Sequence, residues 1–234
     1  MSFTFKQFHI NDEHCAMKVG TDGVLLGAWA DVEKATHILD IGCGSGLIAL
    51  MLAQRARQAK VVGIEIDAQA AADAKTNVER SQFSKNIDIV VGDALHYGGE
   101  NHFDCVVSNP PYHEEELLPP TIQRAKARHT TGGGLTFTAL LETASKLLKK
   151  VPQATFAVVL PTLAVSRFVT LATIYGFHLC RRTNVVTRIN KPCKRVLLEF
   201  SWHQTTLVAD TLILLDDEGK RSEAYNALCA DFYL

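Results

Sequence analysis

Asn109-Pro110-Pro111-Tyr112 stands directly after the apolar run Phe103-Asp104-Cys105-Val106-Val107-Ser108, where a buried strand ends and a polar amide points into a crevice. The spacing suits one chemical problem. An exocyclic or amide nitrogen is a poor nucleophile because its lone pair is delocalised into a ring or a carbonyl. The side-chain oxygen of Asn109 and the backbone carbonyl of Pro110 can each accept one N–H from such a nitrogen. That holds it pyramidal and turns its lone pair toward an electrophile, with no proton-abstracting base required. Tyr112 then offers a face on which a planar group stacks. An isolated Asn-Pro-Pro also reads as a turn closing a strand, so the rest of the chain has to decide between the two.

A second feature is Leu39-Asp40-Ile41-Gly42-Cys43-Gly44-Ser45-Gly46, a strand that runs into a glycine loop and then a helix. Its glycines fall as G-x-G-x-G, and Leu47 occupies the place of the third glycine of the dinucleotide fingerprint, which argues against a nicotinamide or flavin. Alternate glycines let an adenosyl group pass close to the backbone without a pyrophosphate seat. Further on, Glu65 ends the next strand, where a carboxylate can accept both ribose hydroxyls. Gly92-Asp93-Ala94 ends a third strand and places Asp93 to meet an adenine amino group, although Asp-Ala after a strand is also a helix-start signal.

The elements that must position these residues alternate along the chain. Strands are expected over Ile38 to Ile41, Val61 to Ile66, Ile87 to Val91, Phe103 to Val107, Thr155 to Leu160, Phe177 to Val186 and Val196 to Trp202. Helices are expected over Leu47 to Arg57, Ala68 to Arg80, Phe137 to Lys150 and Leu163 to Tyr175. Right-handed crossovers through amphipathic helices give a doubly wound α/β fold. It is a Rossmann-like, seven-stranded, mostly parallel sheet with helices on both faces, its last strand antiparallel because no helix precedes it. Thr21 is placed to cap a short helix over Asp22 to Ala30; one more strand-like run, Leu212 to Leu215, and an amphipathic tail, Ser222 to Tyr233, follow the core. The chain reads as a single domain: an N-terminal extension over residues 1–36, a core over 37–202 and a second extension over 203–234.

Composition narrows the class. The chain has 234 residues, enough for a sizeable core, and a net charge of −1 that excludes a wholly basic nucleic-acid coat. Charge is nevertheless uneven: Arg181, Arg182, Arg188, Lys191, Lys194 and Arg195 occupy an acid-free stretch, and Arg124, Lys126 and Arg128 form another. The six cysteines include no C-x-x-C pair and the nine histidines have no ligand spacing, so neither disulfides nor a metal is expected. No apolar run has the length of a membrane span, and Met1 to His9 lack the apolar core of a signal peptide; a cytoplasmic protein with no membrane partner follows.

The glycine loop, Glu65, Asp93 and Asn109-Pro-Pro-Tyr together resemble the S-adenosylmethionine-dependent methyltransferases that act on planar amino groups. Phe3-Thr-Phe-Lys-Gln-Phe, Ala16 to Trp29, Arg124 to Thr131, Lys194 to Phe200 and Ser222 to Leu234 are similar, within that group, to the bacterial enzymes that methylate adenine-N6 at nucleotide 37 of a valine tRNA. The resemblance implies S-adenosylmethionine as cofactor, held by Asp40, Gly42, Gly44, Gly46, Glu65, Asp93, Ala94 and Asn109. Lys18, Thr21 and Asp22 would close over its methionine end. It implies Asn109, Pro110 and Tyr112 as the groups that orient and stack the target base. It also implies tRNA as partner, gripped at its phosphates by Arg124, Lys126, Arg128, Arg188, Lys191, Lys194 and Arg195; the protein is expected to be a monomer. Two alternatives stand beside it. Enzymes that methylate a glutamine amide of translation release factors use the same motif, but they carry an N-terminal helical domain where this chain has only residues 1–37 before its first core strand. A non-catalytic RNA-binding module is the other, and it would have no use for a strand-end amide beside two prolines.

Overall fold

The computed structural model describes residues 2–100, 102–111 and 135–234. A short antiparallel hairpin, β1 (Ser2–Thr4) and β2 (His9–Asn11), precedes helix α1 (Thr21–Trp29). The core then alternates as β3 (His37–Ile41), α2 (Leu47–Arg55), β4 (Lys60–Glu65), α3 (Ala68–Glu79), β5 (Ile87–Val91) and β6 (Cys105–Ser108). It continues with α4 (Phe137–Leu147), β7 (Thr155–Pro161), α5 (Thr162–Ile174), β8 (His178–Val186), β9 (Arg195–Ser201), β10 (Val208–Ile213) and α6 (Glu223–Leu228).

Strand alternation explains why helices cover both faces. Ile38, Val61, Val107, Ala157, Val159 and Leu197 point to one side, where they pack with Val24, Leu25 and Leu26 of α1, with α2 and with Ala71, Ala74 and Val78 of α3. Leu39, Ile41, Ile64, Val106, Phe156, Val158, Leu160 and Leu198 point to the other, against Phe137, Leu140 and Leu141 of α4 and Phe168 and Ala172 of α5. With apolar partners on both faces, the central strands read as nearly continuous apolar runs, as parallel strands buried on both sides do.

The seven expected strands are all present and an eighth joins them, in the order β10-β8-β9-β7-β6-β3-β4-β5. β9 runs antiparallel to both of its neighbours, as the missing crossover helix required. β10 pairs parallel with β8 at the sheet edge. It starts at Val208, ahead of the expected Leu212, because an edge strand leaves Val208, Ala209, Asp210 and Thr211 exposed and therefore without an apolar pattern. Two further expectations change. Thr21 is the first residue of α1 rather than its cap; Gly20 holds the cap position and provides no side-chain hydrogen bond. The helix expected to reach Lys150 ends at Leu147, because Leu148 leaves it to bridge to Phe103.

Candidate active site

β3 leads through α2 to β4 and β5 on one side, whereas β6, its other neighbour, leads to β7 on the opposite side. A crevice opens at the carboxyl ends of strands where the order reverses in this way. The glycine loop leaves β3 and Asn109 leaves β6, so the two strongest sequence features meet at that crevice.

Hydrogen bonds hold the loop against the end of β4. Gly42 and Cys43 N–H both donate to the Ile64 carbonyl, at 2.8 and 3.1 Å. Gly44 N–H donates to Glu65 Oε2 at 2.9 Å, and Asp67 N–H donates to Glu65 Oε1 at 2.9 Å. The expected ribose acceptor is thus already oriented by two backbone donors, and each oxygen keeps a second lone pair for an incoming hydroxyl. Gly42 and Gly44 adopt φ of 73° and 53°, and a Cβ on either would project into open space, so the loop forms a cradle with a bare backbone wall. Close approach to β4 needs Gly63, where a Cβ would come within 2.9 Å of Cys43 Sγ and 2.8 Å of Ile89 Cδ1.

Asp40 lies behind this loop, fully buried, with Oδ2 accepting the Ala49 N–H at 3.1 Å. Ala49 is in the first turn of α2, whose cap residue Gly46 has no side chain to offer, so Asp40 meets one of the turn's orphan donors from a neighbouring strand. Its Oδ1 has no hydrogen-bond partner among the described residues. Burial pushes its carboxyl up to about 7, the Ala49 hydrogen bond opposing and the Glu65 charge adding to the rise. Asp40 positions the loop and helix; it lines neither part of the crevice described next.

The crevice has two lobes that share Gly42. The larger, of about 420 Å³, is walled by Lys18, Thr21, Asp22, Gly44 and Asn109 together with Met17, Val19, Ser45 and Ile48. The smaller, of about 190 Å³, is walled by Glu65, Asp93 and Ala94 with Ile66, Leu95, Leu135 and Ala139. Asn109 is half-buried and Pro110 buried. Ser108, fully buried just before them, donates Oγ to the Ile41 carbonyl at 2.8 Å and ties the turn to the end of β3. Asp93 realises its helix-start reading: Oδ1 accepts the Leu95 N–H at 3.0 Å, capping the 3-10 turn Ala94–His96.

The N-terminal segment forms the outer wall of the larger lobe. Lys18 Nζ donates to the carbonyls of Asp12 (2.7 Å) and Glu13 (2.9 Å), and Asp12 Oδ2 accepts the Val19 N–H at 2.8 Å, so residues 12–19 close as a loop. Asn77 bonds both backbone groups of Asn11 and also donates to the Ser45 carbonyl at 2.9 Å, linking this segment to the glycine loop. Asp73 accepts the His14 N–H and pairs with its Nδ1 at 2.9 Å, which raises the imidazole above its ordinary value. The sequence reading passed over Asp73 and Asn77; two polar residues four apart on the otherwise apolar buried face of α3 were the available signal.

Asp22 is bonded to Arg195, with Nε to Oδ2 at 2.6 Å. Arg195 is therefore committed to the wall of the site as well as lying in the basic stretch. Arg188, Lys191 and Lys194 are exposed on the connection between β8 and β9. Tyr112, Arg124, Lys126 and Arg128 lie outside the described residues. Among the described residues no group of three potential ligands could hold a metal, and no helix is long and apolar enough to cross a membrane.

The model of the methyltransferase small domain family matches residues 15–157. The chain belongs to that family. Among its relatives, the tRNA1(Val) (adenine(37)-N6)-methyltransferase of Bacteroides thetaiotaomicron is 44% identical over 99% of this chain and 97% of its own length. The protein of the same name from Haemophilus influenzae is 41% identical over 99% and 98% of the two chains. Among solved structures, a predicted O-methyltransferase from Agrobacterium tumefaciens superposes with a TM-score of 0.73 at 19% identity, covering 90% of this chain and 96% of that one. Pyrococcus horikoshii TYW2 in complex with MeSAdo gives 0.56 at 16% identity, over 82% and 66%. These two show the fold.

The smaller lobe combines two acids, Glu65 and Asp93, with apolar walls from Ile66, Leu135 and Ala139. The larger lobe sets Lys18, Thr21 and Asp22 of the N-terminal segment beside Asn109, and the backbone of Gly42 lies in the walls of both.

Proposed function

We propose that this chain transfers a methyl group from S-adenosylmethionine to N6 of adenosine 37 in a valine tRNA. The observation that carries this reading is the placement of Asn109, beside the glycine cradle and on the wall of the larger lobe, in a chain 44% identical over nearly its full length to an enzyme named for that reaction. Glu65 would hold the ribose, Asp93 the adenine, the backbone of Gly42 and Gly44 the middle, and Lys18, Thr21 and Asp22 the methionine end. When bound, the cofactor supplies an electrophilic methyl on a sulfonium, so the protein needs neither a nucleophile nor a metal.

The chain's own residues position the acceptor. Asn109 Oδ1 and the Pro110 carbonyl accept the two N–H groups of the target amine, and the Ser108–Ile41 hydrogen bond keeps that pair in register with the loop. Holding reactants in line contributes up to roughly 7 to 11 kcal/mol. The target base leaves its stack in the anticodon loop to reach the pocket, and Tyr112 provides a stacking face worth about 1–3 kcal/mol. Arg188, Lys191 and Lys194, with Arg124, Lys126 and Arg128, hold phosphates around the opening. Residues 1–234 act as one methyltransferase unit in the cytoplasm, with the N-terminal segment closing over the methionine end.

The test is transfer of labelled methyl in a mixture of a valine tRNA transcript and a translation release factor, followed by nucleoside and amino-acid analysis. N6-methyladenosine that disappears when adenosine 37 is replaced by guanosine is expected. Label recovered in protein glutamine instead would overturn the reading.

A further inference from the structure

A second cleft, of about 390 Å³, adjoins the reaction pocket. Thr21 and Asp22 are common to the walls of both, so the Asp22–Arg195 ion pair stands at the boundary between them. The floor of the cleft is apolar: Val185 and Tyr225 are buried, and Leu214 and Leu215 are half-buried. Its rim carries the hydroxyls of Thr21 and Thr187 and the cations of Lys194 and Arg195. The one acid in the wall, Asp22, is neutralised by Arg195 at 2.6 Å. Apolar faces beneath, hydroxyls at the edge and net positive charge at the mouth match a nucleotide, with its base inside and its phosphate outside. The flanking connection from Thr187 to Lys194 adds Lys191 and Arg188 and no acid; Arg188 lies against Gly219 in the exposed turn that carries Asp216, Asp217 and Glu218, so the positive side of the mouth is the one formed by Lys191 and Lys194.

We infer that this cleft is a second nucleotide subsite, which takes the base of the residue next to the target in the same RNA strand. The inference rests on the function proposed above. Its physical sense is that a splayed target base leaves its neighbour unstacked, and the cleft replaces the lost stacking partner. Arg195 then serves two sites: it fixes Asp22 in the wall of the reaction pocket and lies at the mouth of the neighbouring one. Because the target and its neighbour are consecutive nucleotides, filling the second cleft sets the register in which a single adenine reaches Asn109.

The experiment uses full-length valine tRNA assembled by ligation, either intact or lacking the base on the 5′ or the 3′ side of the target adenosine. Methylation kinetics are measured for the parent protein and for Leu215→Ser and Lys194→Ala, each confirmed as folded by its affinity for S-adenosylmethionine. For the parent, one of the two abasic tRNAs is expected to raise KM about tenfold, the loss of one stacked base, with kcat little changed. In Leu215→Ser the intact tRNA should already show the raised KM, and removing the base should add less than about twofold. Lys194→Ala should raise KM for intact and abasic tRNA by the same factor, since it loses a phosphate contact only. Equal losses on base removal in the parent and in Leu215→Ser, or no loss in the parent, would overturn the subsite while leaving the methyltransferase reading intact. A parent that leaves intact tRNA unmethylated would instead overturn the function on which the inference rests.

Discussion

Replacing Asp40 with Asn should change how stability depends on pH, by an amount that the burial of this residue sets. The carboxyl is fully buried, has one hydrogen bond, from Ala49 N–H, and is pushed from 3.8 up to about 7. A raised folded value means that the folded protein holds a proton that the unfolded chain releases. Stability from this group is therefore fully present below about pH 4 and is lost as pH rises through about 7. At about 1.36 kcal/mol per unit, the whole window amounts to roughly 4 kcal/mol, and the part between pH 5 and pH 8 to nearly 3 kcal/mol, most of it lost by pH 7. Asn keeps an oxygen for Ala49 but cannot ionise. It also turns an amide N–H toward the place of Oδ1, at a cost of about 1–3 kcal/mol that does not vary with pH. Urea unfolding of parent and variant at pH 5, 6, 7 and 8 separates the two effects. The stability difference, variant minus parent, should rise by about 3 kcal/mol from pH 5 to 8 and level off above 7. Histidine titrations occur in both proteins and cancel in the difference. Parallel profiles across that range would show that Asp40 ionises normally and that its burial is relieved by something other than a proton.

Glu65→Ala should weaken S-adenosylmethionine binding by about 1.5–3 kcal/mol, roughly 10- to 150-fold, measured by calorimetry on a folded protein; unchanged affinity would remove the ribose assignment. Asn109→Ala should lower methyl transfer by orders of magnitude with cofactor affinity kept within a few-fold, because its contacts are made at the reacting nitrogen; near-normal turnover would reduce the motif to a structural turn. Gly63→Ala should destabilise the fold by about 1–3 kcal/mol, since its Cβ would press on Ile89 and Cys43, and should weaken cofactor binding as the loop shifts; a neutral outcome in thermal unfolding would mean that Ile89 swings clear. Neutralising Arg188 or Lys191 should lower the log–log salt dependence of tRNA binding by about 0.7 per contact, measured from about 50 to 200 mM salt; an unaltered slope would remove that residue from the interface.

The alternation of strand and helix, the two-sided burial of the sheet and the antiparallel β9 were legible in the chain because each follows from local pattern and connection length. The same holds for the glycine loop, Glu65 and Asn109. Each sits at the end of a buried strand, and parallel strands bring their carboxyl ends to one edge. Of the edge strand β10 only Leu212 and Ile213 fell inside the expected run, because the four residues before them are exposed and have no apolar partner to impose a pattern.

What residue types cannot carry is which groups meet across the fold. Asp22 and Arg195, both singled out along the chain, were assigned to different ligands, yet they bond to each other at 2.6 Å between helix α1 and strand β9. Asp40, taken as a cofactor contact, turns its carboxylate toward α2 and caps it from behind the loop. Asn77 links the N-terminal hairpin to the glycine loop through three hydrogen bonds with partners far away in sequence. The chemistry of the site was thus written locally, in residue types that the pleat and the strand ends must present to one edge. The pairing of its charges and the shape of its walls depend on distances between elements that are remote in the chain, and only packing of the whole fold determines those.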